Sequence, residues 1–365
     1  MITDTLLDSI SVTCTPGDDV IILDNNSDVI DTYDASVVGE VIDDLTYNNL
    51  ILALECILPA SILTLGTLGN IFNILTLSQL TMQDNTSIVL LSLSVVDLVY
   101  TSVKTFVSVS WIVLSFDYYF GTYLINCYNV YIESMDVIAV NTSIHLVMFV
   151  SVERMIAVCF PFHVNKVLTP SRIRWCVLFI VIGNWVTRAP LFYTSYLGYV
   201  VRNNRTMYYP FTLDYINDSY SLNYIYEGIV IQLLHVFLPF VVISLCISTT
   251  IFKIVLSFQL KKELSSEGAR LKRKREIRSV KVVLCVCLLS LFFSLIPTFA
   301  TSIFNAVHAY DIEDVLTFRQ SALLFHMQSL LLHIHSSFNF IIYMSTNPKY
   351  RKTLHRVLYR KKNAK

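Results

Sequence analysis

The chain has 365 residues, of which 54% are hydrophobic and only 15% are charged, and its formal net charge is zero. A soluble globular protein of this length exposes more charge, so the composition argues against that class and predicts residence in a membrane. The charges are also segregated, because residues 1–50 hold eleven acids and no Lys or Arg, whereas the last seventeen residues hold eight basic residues and no acid. This asymmetry predicts that the two ends lie in different compartments.

Residues 1–50 are predicted to form an acidic extracellular tail. The chain begins MITDTLLDSI, which has neither a basic n-region nor a small-residue cleavage site, so we expect no cleaved signal peptide. The first apolar span then serves as the targeting signal. Sequons at Asn25, Asn204 and Asn217 predict glycans on this same outer side.

Seven apolar stretches are long enough to cross a bilayer core about 30 Å thick, which takes roughly 20 helical residues. They cover residues 51–78, 86–114, 124–158, 172–196, 224–256, 277–307 and 319–345. The sequence therefore predicts an all-α membrane protein with a seven-helix bundle over residues 51–345. Segments 153–174, 253–281 and 346–365 hold 22 of the 27 Lys and Arg residues, which places them in the cytoplasm and the N-terminus outside.

Residues 346–365 are predicted to be a cytoplasmic amphipathic helix followed by a basic tail. An apolar stripe runs from Tyr350 to Leu358 at helical spacing, and the opposite face is basic. This pattern predicts a helix on the inner membrane surface, and a disordered basic tail is the alternative. The basic run 269–281 is likewise expected to contact anionic lipid and a cytoplasmic partner rather than nucleic acid.

Several spans carry polar side chains that lipid cannot satisfy. Those expected to meet in one cluster inside the bundle are Asn70, Asp97, Ser143, Ser336 and Asn339. Intramembrane polar residues usually mark function. The cluster therefore predicts a switch core that holds a sodium ion, and the alternative is a purely structural hydrogen-bond network.

One short motif in each of several spans resembles the rhodopsin-like (class A) G-protein-coupled receptors over residues 51–359. These motifs are Gly69-Asn70, Leu93-Ser94-Val95-Val96-Asp97-Leu98, Glu153-Arg154-Met155, the kink prolines Pro239 and Pro297, and Asn339-Phe340-Ile341-Ile342-Tyr343. The resemblance implies a receptor in the plasma membrane that senses an extracellular ligand and activates a heterotrimeric G protein. It also implies a switch formed by Glu153, Arg154 and Tyr343.

The pair Glu153–Arg154 ends an apolar run at the inner interface, where long side chains reach water. The resemblance implies that Glu153 holds Arg154 at rest and that Arg154 engages the G protein when the sixth span swings outward. An interfacial anchor without a switching role is the alternative.

The sequence departs from the family pattern at positions that bear on activity. Phe340 replaces the proline expected after Asn339, so the usual kink of the seventh helix is not expected. Leu295 and Ile247 stand where the family has switch aromatics, which leaves constitutive or lost activity open. These departures resemble invertebrate receptors, and the molluscan chemosensory and FMRFamide-type peptide receptors come closest.

Loop 197–223 contains no cysteine, so the family's usual bridge from Cys127 cannot form. The extracellular candidates to replace it are Cys14 and Cys56, and Cys14–Cys127 is the predicted pairing.

Asp136 lies eighteen residues before Arg154, which is five helical turns and about 27 Å on the same face. The resemblance places the carboxylate that pairs with amine ligands at this position. The predicted ligand pocket consists of Asp136, Glu133, Gln232, Glu227, Phe299 and His333. An acid-lined cavity predicts a cationic ligand. The alternative is a buried carboxylate held by His333 or Asn129 without ligand contact.

Other functions are less favoured. An amine receptor usually has more aromatic residues on the sixth span, and a transporter is expected to show internal repeats, which we do not find. Residues 320–348 contain no lysine, so retinal is not expected. We find no cluster of nucleophiles that would predict an enzyme. The histidines at 326, 333 and 335 are expected to be core residues rather than metal ligands.

Overall fold

The computed structural model describes residues 11–14, 20–23, 50, 53–80, 85–193, 195–202, 205–212, 224–260, 280–307 and 315–359. The chain divides into two units, Met1–Asn49 and Leu50–Lys365. In the first unit, strands β1 (Ser11–Cys14) and β2 (Val20–Leu23) pair antiparallel. The predicted glycosylation sites Asn25, Asn204 and Asn217 lie outside the described residues.

The second unit is a bundle of helices. Its long helices are α1 (Leu58–Leu80), α2 (Asn85–Phe116), α3 (Tyr118–Cys159), α4 (Pro170–Arg188), α5 (Leu238–Leu260), α6 (280–307), α7 (Val315–Ser337 and Asn339–Thr346) and α8 (Pro348–Tyr359). Shorter helical pieces are Ala53–Ile57, Val164–Val167, Ala189–Tyr193, Tyr224–Ile231 and Leu233–Phe237. Each of the seven predicted spans contains a long helix, and the prediction of an all-α membrane bundle is confirmed.

Five stretches are apolar and long enough to cross a membrane, namely Leu58–Leu80, Asn85–Leu114, Tyr118–Cys159, Gly228–Leu256 and Val280–Phe304. Helices α4 and α7 are more polar. Helix α4 begins and ends with arginines, including Arg172 and Arg188, and α7 contains three histidines. These two helices were predicted as spans from their length and apolar content despite those side chains.

Both predicted kink prolines follow a widened helical turn. A π-helical turn at Leu233–Phe237 precedes Pro239, and another at Leu291–Leu295 precedes Pro297. Proline has no N–H to donate to the preceding turn, and a π turn is one way in which a helix accommodates such a break. A third π turn, at Tyr128–Ile132 in α3, has no proline after it.

Helix α7 is interrupted at Phe338, although the family's proline is absent. Its α-helical segments end at Ser337 and resume at Asn339. Next to this interruption α7 lies very close to α1, because a Cβ on Gly69 would stand 2.9 Å from the Cβ of Phe340. Glycine at position 69 therefore permits a helix contact that a larger residue would obstruct.

Helix α8 follows α7 directly. The Asn347 side chain accepts hydrogen bonds from the backbone N–H groups of Lys349 (3.1 Å) and Tyr350 (3.3 Å), and Pro348 occupies the first helical position. Both features favour a helix start. Tyr350 and Leu354 are buried, whereas Leu358 is exposed, so the apolar stripe is shared between the bundle and the surface.

The loop after α4 contains a β-hairpin, which the sequence pattern did not predict. Strands β3 (Ser195–Arg202) and β4 (Arg205–Thr212) pair antiparallel. The hairpin is attached to α3, because Asn126 Nδ2 donates to the Tyr208 carbonyl at 2.6 Å. The rings of Tyr123 and Tyr208 also meet edge to face at 5.1 Å.

This attachment stands where the family has a disulfide. Cys127, next to Asn126, is a free cysteine in the structure, and its neighbour one turn earlier, Tyr123, contacts it. The predicted Cys14–Cys127 bridge stays a prediction. The Cys14 side chain itself lies outside the described residues.

Candidate functional site

The C-terminal end of α3 carries a bidentate ion pair. Arg154 Nε lies 2.8 Å from Glu153 Oε2, and Arg154 Nη2 donates to Oε1 at 2.9 Å. The hydroxyl of Thr86, on α2, lies 3.3 Å from both carboxylate oxygens. Glu153 is buried, and the Arg154 side chain is only 12% exposed. Bidentate, charge-assisted geometry of this kind fixes the guanidinium in one orientation.

Arg154 also lines a cleft between α3, α5 and α6. The other lining residues are Ser151, Cys246, Ile247, Thr250, Val280, Val283, Leu284 and Cys287. Ile247, which stands where the family has a tyrosine, gives the cleft an apolar wall. The site is thus a mostly apolar slot that contains one guanidinium group.

Tyr343, the third predicted switch residue, lies apart from this cleft. It is buried, and its ring packs against Tyr350 of α8 at 5.7 Å. Its hydroxyl lies near Ser94 but forms no hydrogen bond within the described part of the chain. The structure therefore brings Glu153 and Arg154 together, whereas Tyr343 packs at the contact between α7 and α8.

The five predicted polar-core residues do meet. Ser143 Oγ donates to Asp97 Oδ1 at 2.8 Å, and Asn339 Nδ2 donates to Asp97 Oδ2 at 2.6 Å. The Ser336 side chain also hydrogen-bonds Asp97, and the Ser336 carbonyl accepts from Asn70 Nδ2 at 3.0 Å. Each of the five is at most 2% exposed, so helices α1, α2, α3 and α7 share one buried polar cluster.

The cluster continues to α8 through residues that the sequence analysis did not single out. Asn73 Nδ2 donates to Asn70 Oδ1 at 3.4 Å, and the Tyr350 hydroxyl donates to Asn73 Oδ1 at 2.6 Å. Asn73 follows Asn70 by one turn, so its intramembrane amide could have been noticed. The hydrogen bond between Asn73 and Tyr350 depends on how α8 packs against α1.

The core offers oxygen atoms suited to a sodium ion. Asn339 Oδ1 is buried and has no hydrogen-bond partner among the described residues, although the same amide contacts Asp97. Carboxylate, hydroxyl and amide oxygens are the ligands that hard cations prefer. Asp97, Ser143 and Asn339 therefore fit such an ion, which would neutralise the buried carboxylate.

The N-terminal half of α3 carries a second ion pair, which the sequence did not predict. Lys104 Nζ on α2 lies 2.6 Å from Asp136 Oδ2. The Tyr128 hydroxyl donates to the same oxygen at 2.7 Å and accepts from Lys104 at 2.9 Å. Asp136 is 4% exposed. In this structure the Asp136 carboxylate, which the sequence predicted to pair with a cationic ligand, pairs with Lys104.

The alternative prediction was a buried carboxylate held by His333 or Asn129. Asp136 is buried here, and the partners that the structure shows are Lys104 and Tyr128. Lys104 stands inside the apolar span 86–114. Like Asp97, it is an ionisable group at membrane depth, and such groups usually mark function.

The remaining predicted pocket residues form two groups. His333 Nδ1 lies 2.8 Å from the Tyr100 hydroxyl, and both His333 and Glu133 are near enough to Lys104 to interact with its charge. Glu133 is exposed and His333 is buried.

The second group lies between α5 and α6. Ser302 Oγ donates to Gln232 Oε1 at 3.3 Å. The ring of Phe299 meets Phe237 at 5.0 Å and Phe240 at 5.9 Å. The Glu227 side chain lies outside the described residues. The predicted pocket residues are thus divided. Asp136, Glu133 and His333 lie around Lys104, whereas Gln232 and Phe299 lie together in a second group.

Comparison with known families agrees with this geometry. Residues 69–343, about three quarters of the chain, match the family described as 7 transmembrane receptor (rhodopsin family). The chain belongs to this family. It is therefore a multi-pass membrane receptor that signals through G proteins and is not an enzyme. A comparison with curated proteins finds no relative.

Proposed function

We propose that this receptor senses an extracellular chemical or peptide ligand and transmits binding to a heterotrimeric G protein through Arg154. The observation that carries the proposal is the position of the Arg154 guanidinium, which is held by Glu153 and faces the cleft between α3, α5 and α6. At rest, Glu153 neutralises the guanidinium. When α6 moves away from α3, the cleft widens and Arg154 becomes available to the G protein.

The polar core couples the outer and inner halves of the bundle. It joins α2, α3 and α7 through Asp97 and α1 through the Ser336 carbonyl, and its hydrogen bonds must rearrange when these helices shift. A sodium ion at Asp97 would favour the resting arrangement, because it adds oxygen contacts that depend on the present helix positions.

The ligand itself is proposed only as a class. The eleven acids of residues 1–50 favour positively charged molecules near the outer surface by long-range attraction. Because Lys104 occupies Asp136, a small amine bound at that carboxylate is disfavoured. A chemosensory ligand or a peptide, as in the molluscan receptors that the sequence resembles, fits better.

The proposed orientation has the N-terminus outside and the basic segments inside. Helix α8 presents Lys349, Arg351 and Arg356 beside its buried Tyr350, as expected for a helix that contacts anionic lipids of the inner leaflet. Glycans at Asn25, Asn204 and Asn217 belong to the same proposal.

Nucleotide exchange on a panel of purified heterotrimeric G proteins tests the proposed function. Wild-type receptor should accelerate exchange with at least one of them, whereas Arg154→Ala at the same surface expression should not. Arg174→Ala is the matched control, since Arg174 is an exposed arginine at the cytoplasmic start of α4. Equal exchange by wild type and Arg154→Ala would reject the role of Arg154.

A further inference from the structure

The Lys104–Asp136 pair bears on which chemical group the outer site accepts. Lys104 is fixed by two partners, Asp136 Oδ2 at 2.6 Å and the Tyr128 hydroxyl at 2.9 Å. The lysine side chain is only 19% exposed. Its ammonium group therefore occupies the place beside the carboxylate that a ligand ammonium would need.

The triad leaves one acceptor and one donor unused among the described residues. Asp136 Oδ1 is buried and has no hydrogen-bond partner there. Two of the three N–H groups of Lys104 are used by Asp136 and Tyr128, so one remains. Buried polar atoms without partners are costly. A ligand that satisfies both atoms therefore gains two hydrogen bonds that the free receptor does not make.

Charge decides which ligand group can do this. A second ammonium at Oδ1 would stand next to the Lys104 ammonium, and Glu133 is the one further carboxylate among the described residues that interacts with this group. A carboxylate at Lys104 would stand next to Asp136. A neutral carboxamide donates through its N–H₂ and accepts through its C=O, so it meets both atoms without repulsion in a medium of low dielectric constant.

We propose that Lys104 is a built-in counter-cation that closes Asp136 to amine ligands, and that this subsite takes a neutral carboxamide. The inference rests on the proposed function only in assuming that the outer half of the bundle binds the ligand. Lys104 is then the residue that determines specificity, and Asp136 is the acceptor that it positions.

Chemical rescue tests the first half of the proposal. Lys104→Ala removes a three-carbon amine from beside Asp136, so n-propylamine has the size and charge of the missing part. In full-length receptor in lipid nanodiscs, the variant should unfold at a lower temperature than wild type. Millimolar n-propylamine should restore much of that loss, whereas 1-propanol, of the same length without charge, should not.

Two controls make the rescue specific. Neither wild type nor the double variant Lys104→Ala/Asp136→Asn should respond to n-propylamine, because the first has no vacancy and the second has no charge to neutralise. An equal response in wild type would overturn the proposal, and so would a Lys104→Ala variant as stable as wild type.

A second measurement uses wild type alone and stays informative if Lys104→Ala does not fold. Phenylacetamide, phenethylamine and phenylacetate are close in size and differ in charge. Phenylacetamide should raise the unfolding temperature of wild type, and Asp136→Asn should weaken that effect, while the two charged probes should have little effect. A larger stabilisation by phenethylamine would contradict the proposal. Neither assay contains a G protein, so failure here is distinguishable from failure of the proposed signalling function.

Discussion

The two ion pairs of α3 differ in what they connect. Glu153 and Arg154 are neighbours in the chain and hold each other at the rim of a cleft. Lys104 and Asp136 come from two helices and lie in a closed triad with Tyr128. Because its two residues are adjacent on α3, the Glu153–Arg154 pair can open by side-chain rotation alone, whereas opening the Lys104–Asp136 pair removes a link between α2 and α3. The first pair is therefore suited to switching, and the second to fixing structure and specificity.

The largest expected difference is in stability. Removing one partner of a buried pair leaves an uncompensated charge and typically costs about 3–5 kcal/mol, whereas replacing both by apolar residues is often neutral. Lys104→Met should therefore lower the free energy of unfolding by about this amount, and adding Asp136→Leu should recover most of it. Urea or thermal unfolding in nanodiscs measures both. If Lys104→Met leaves the free energy of unfolding unchanged, this pair does not fix the structure as described.

The polar core between the two pairs should give the next largest effect. If a sodium ion binds Asp97, sodium at ten times its dissociation constant stabilises the receptor by about 1.4 kcal/mol. Unfolding temperatures in sodium and in potassium at equal ionic strength should differ for wild type and coincide for Asp97→Asn. Equal stabilisation of wild type by the two cations would contradict a sodium site.

Breaking the Glu153–Arg154 pair should instead change basal signalling. Glu153→Gln removes the charge that holds Arg154, and a loss of ~1 kcal/mol of resting-state stabilisation shifts a two-state equilibrium by about fivefold. Basal nucleotide exchange should rise by about this factor. Asp136→Asn, at the other end of the same helix, should leave basal exchange at the wild-type level. A rise of equal size in both variants would remove the distinction between the pairs.

The smallest predicted effect concerns the link from the core to α8. Burial raises the pKa of Tyr350 above its ordinary value, so its hydroxyl stays protonated and donates to Asn73. Tyr350→Phe should destabilise by ~0.5–1 kcal/mol, the net value of one hydrogen bond. Tyr359→Phe is the matched control, because Tyr359 is 55% exposed on the same helix. Equal effects of the two changes would argue against the link.

The sequence predicted well what depends on local pattern. The spans follow from apolar length, and the polar core follows from the rule that intramembrane polar groups must find each other, as Asp97 and Asn339 do. The Glu153–Arg154 pair needed no knowledge of packing, because its two residues are adjacent.

What the sequence could not predict depends on contacts between distant segments. Nothing local pairs Lys104 with Asp136 rather than with another acid. The π turn at Tyr128–Ile132, which lies between Cys127 and Asp136, has no proline to announce it. The attachment of the outer hairpin through Asn126 likewise depends on a backbone carbonyl of Tyr208. Composition carries no information about these contacts or about the π turn.

The most direct test of the account is the distance between the cytoplasmic ends of α3 and α6. Spin labels at Phe160 and Lys281, both exposed near these ends, report it by double electron–electron resonance. In wild type the distance should lengthen when nucleotide-free G protein binds, and in Arg154→Ala it should keep its resting value. An unchanged distance in wild type with the G protein bound would contradict the proposal that the cleft opens to expose Arg154.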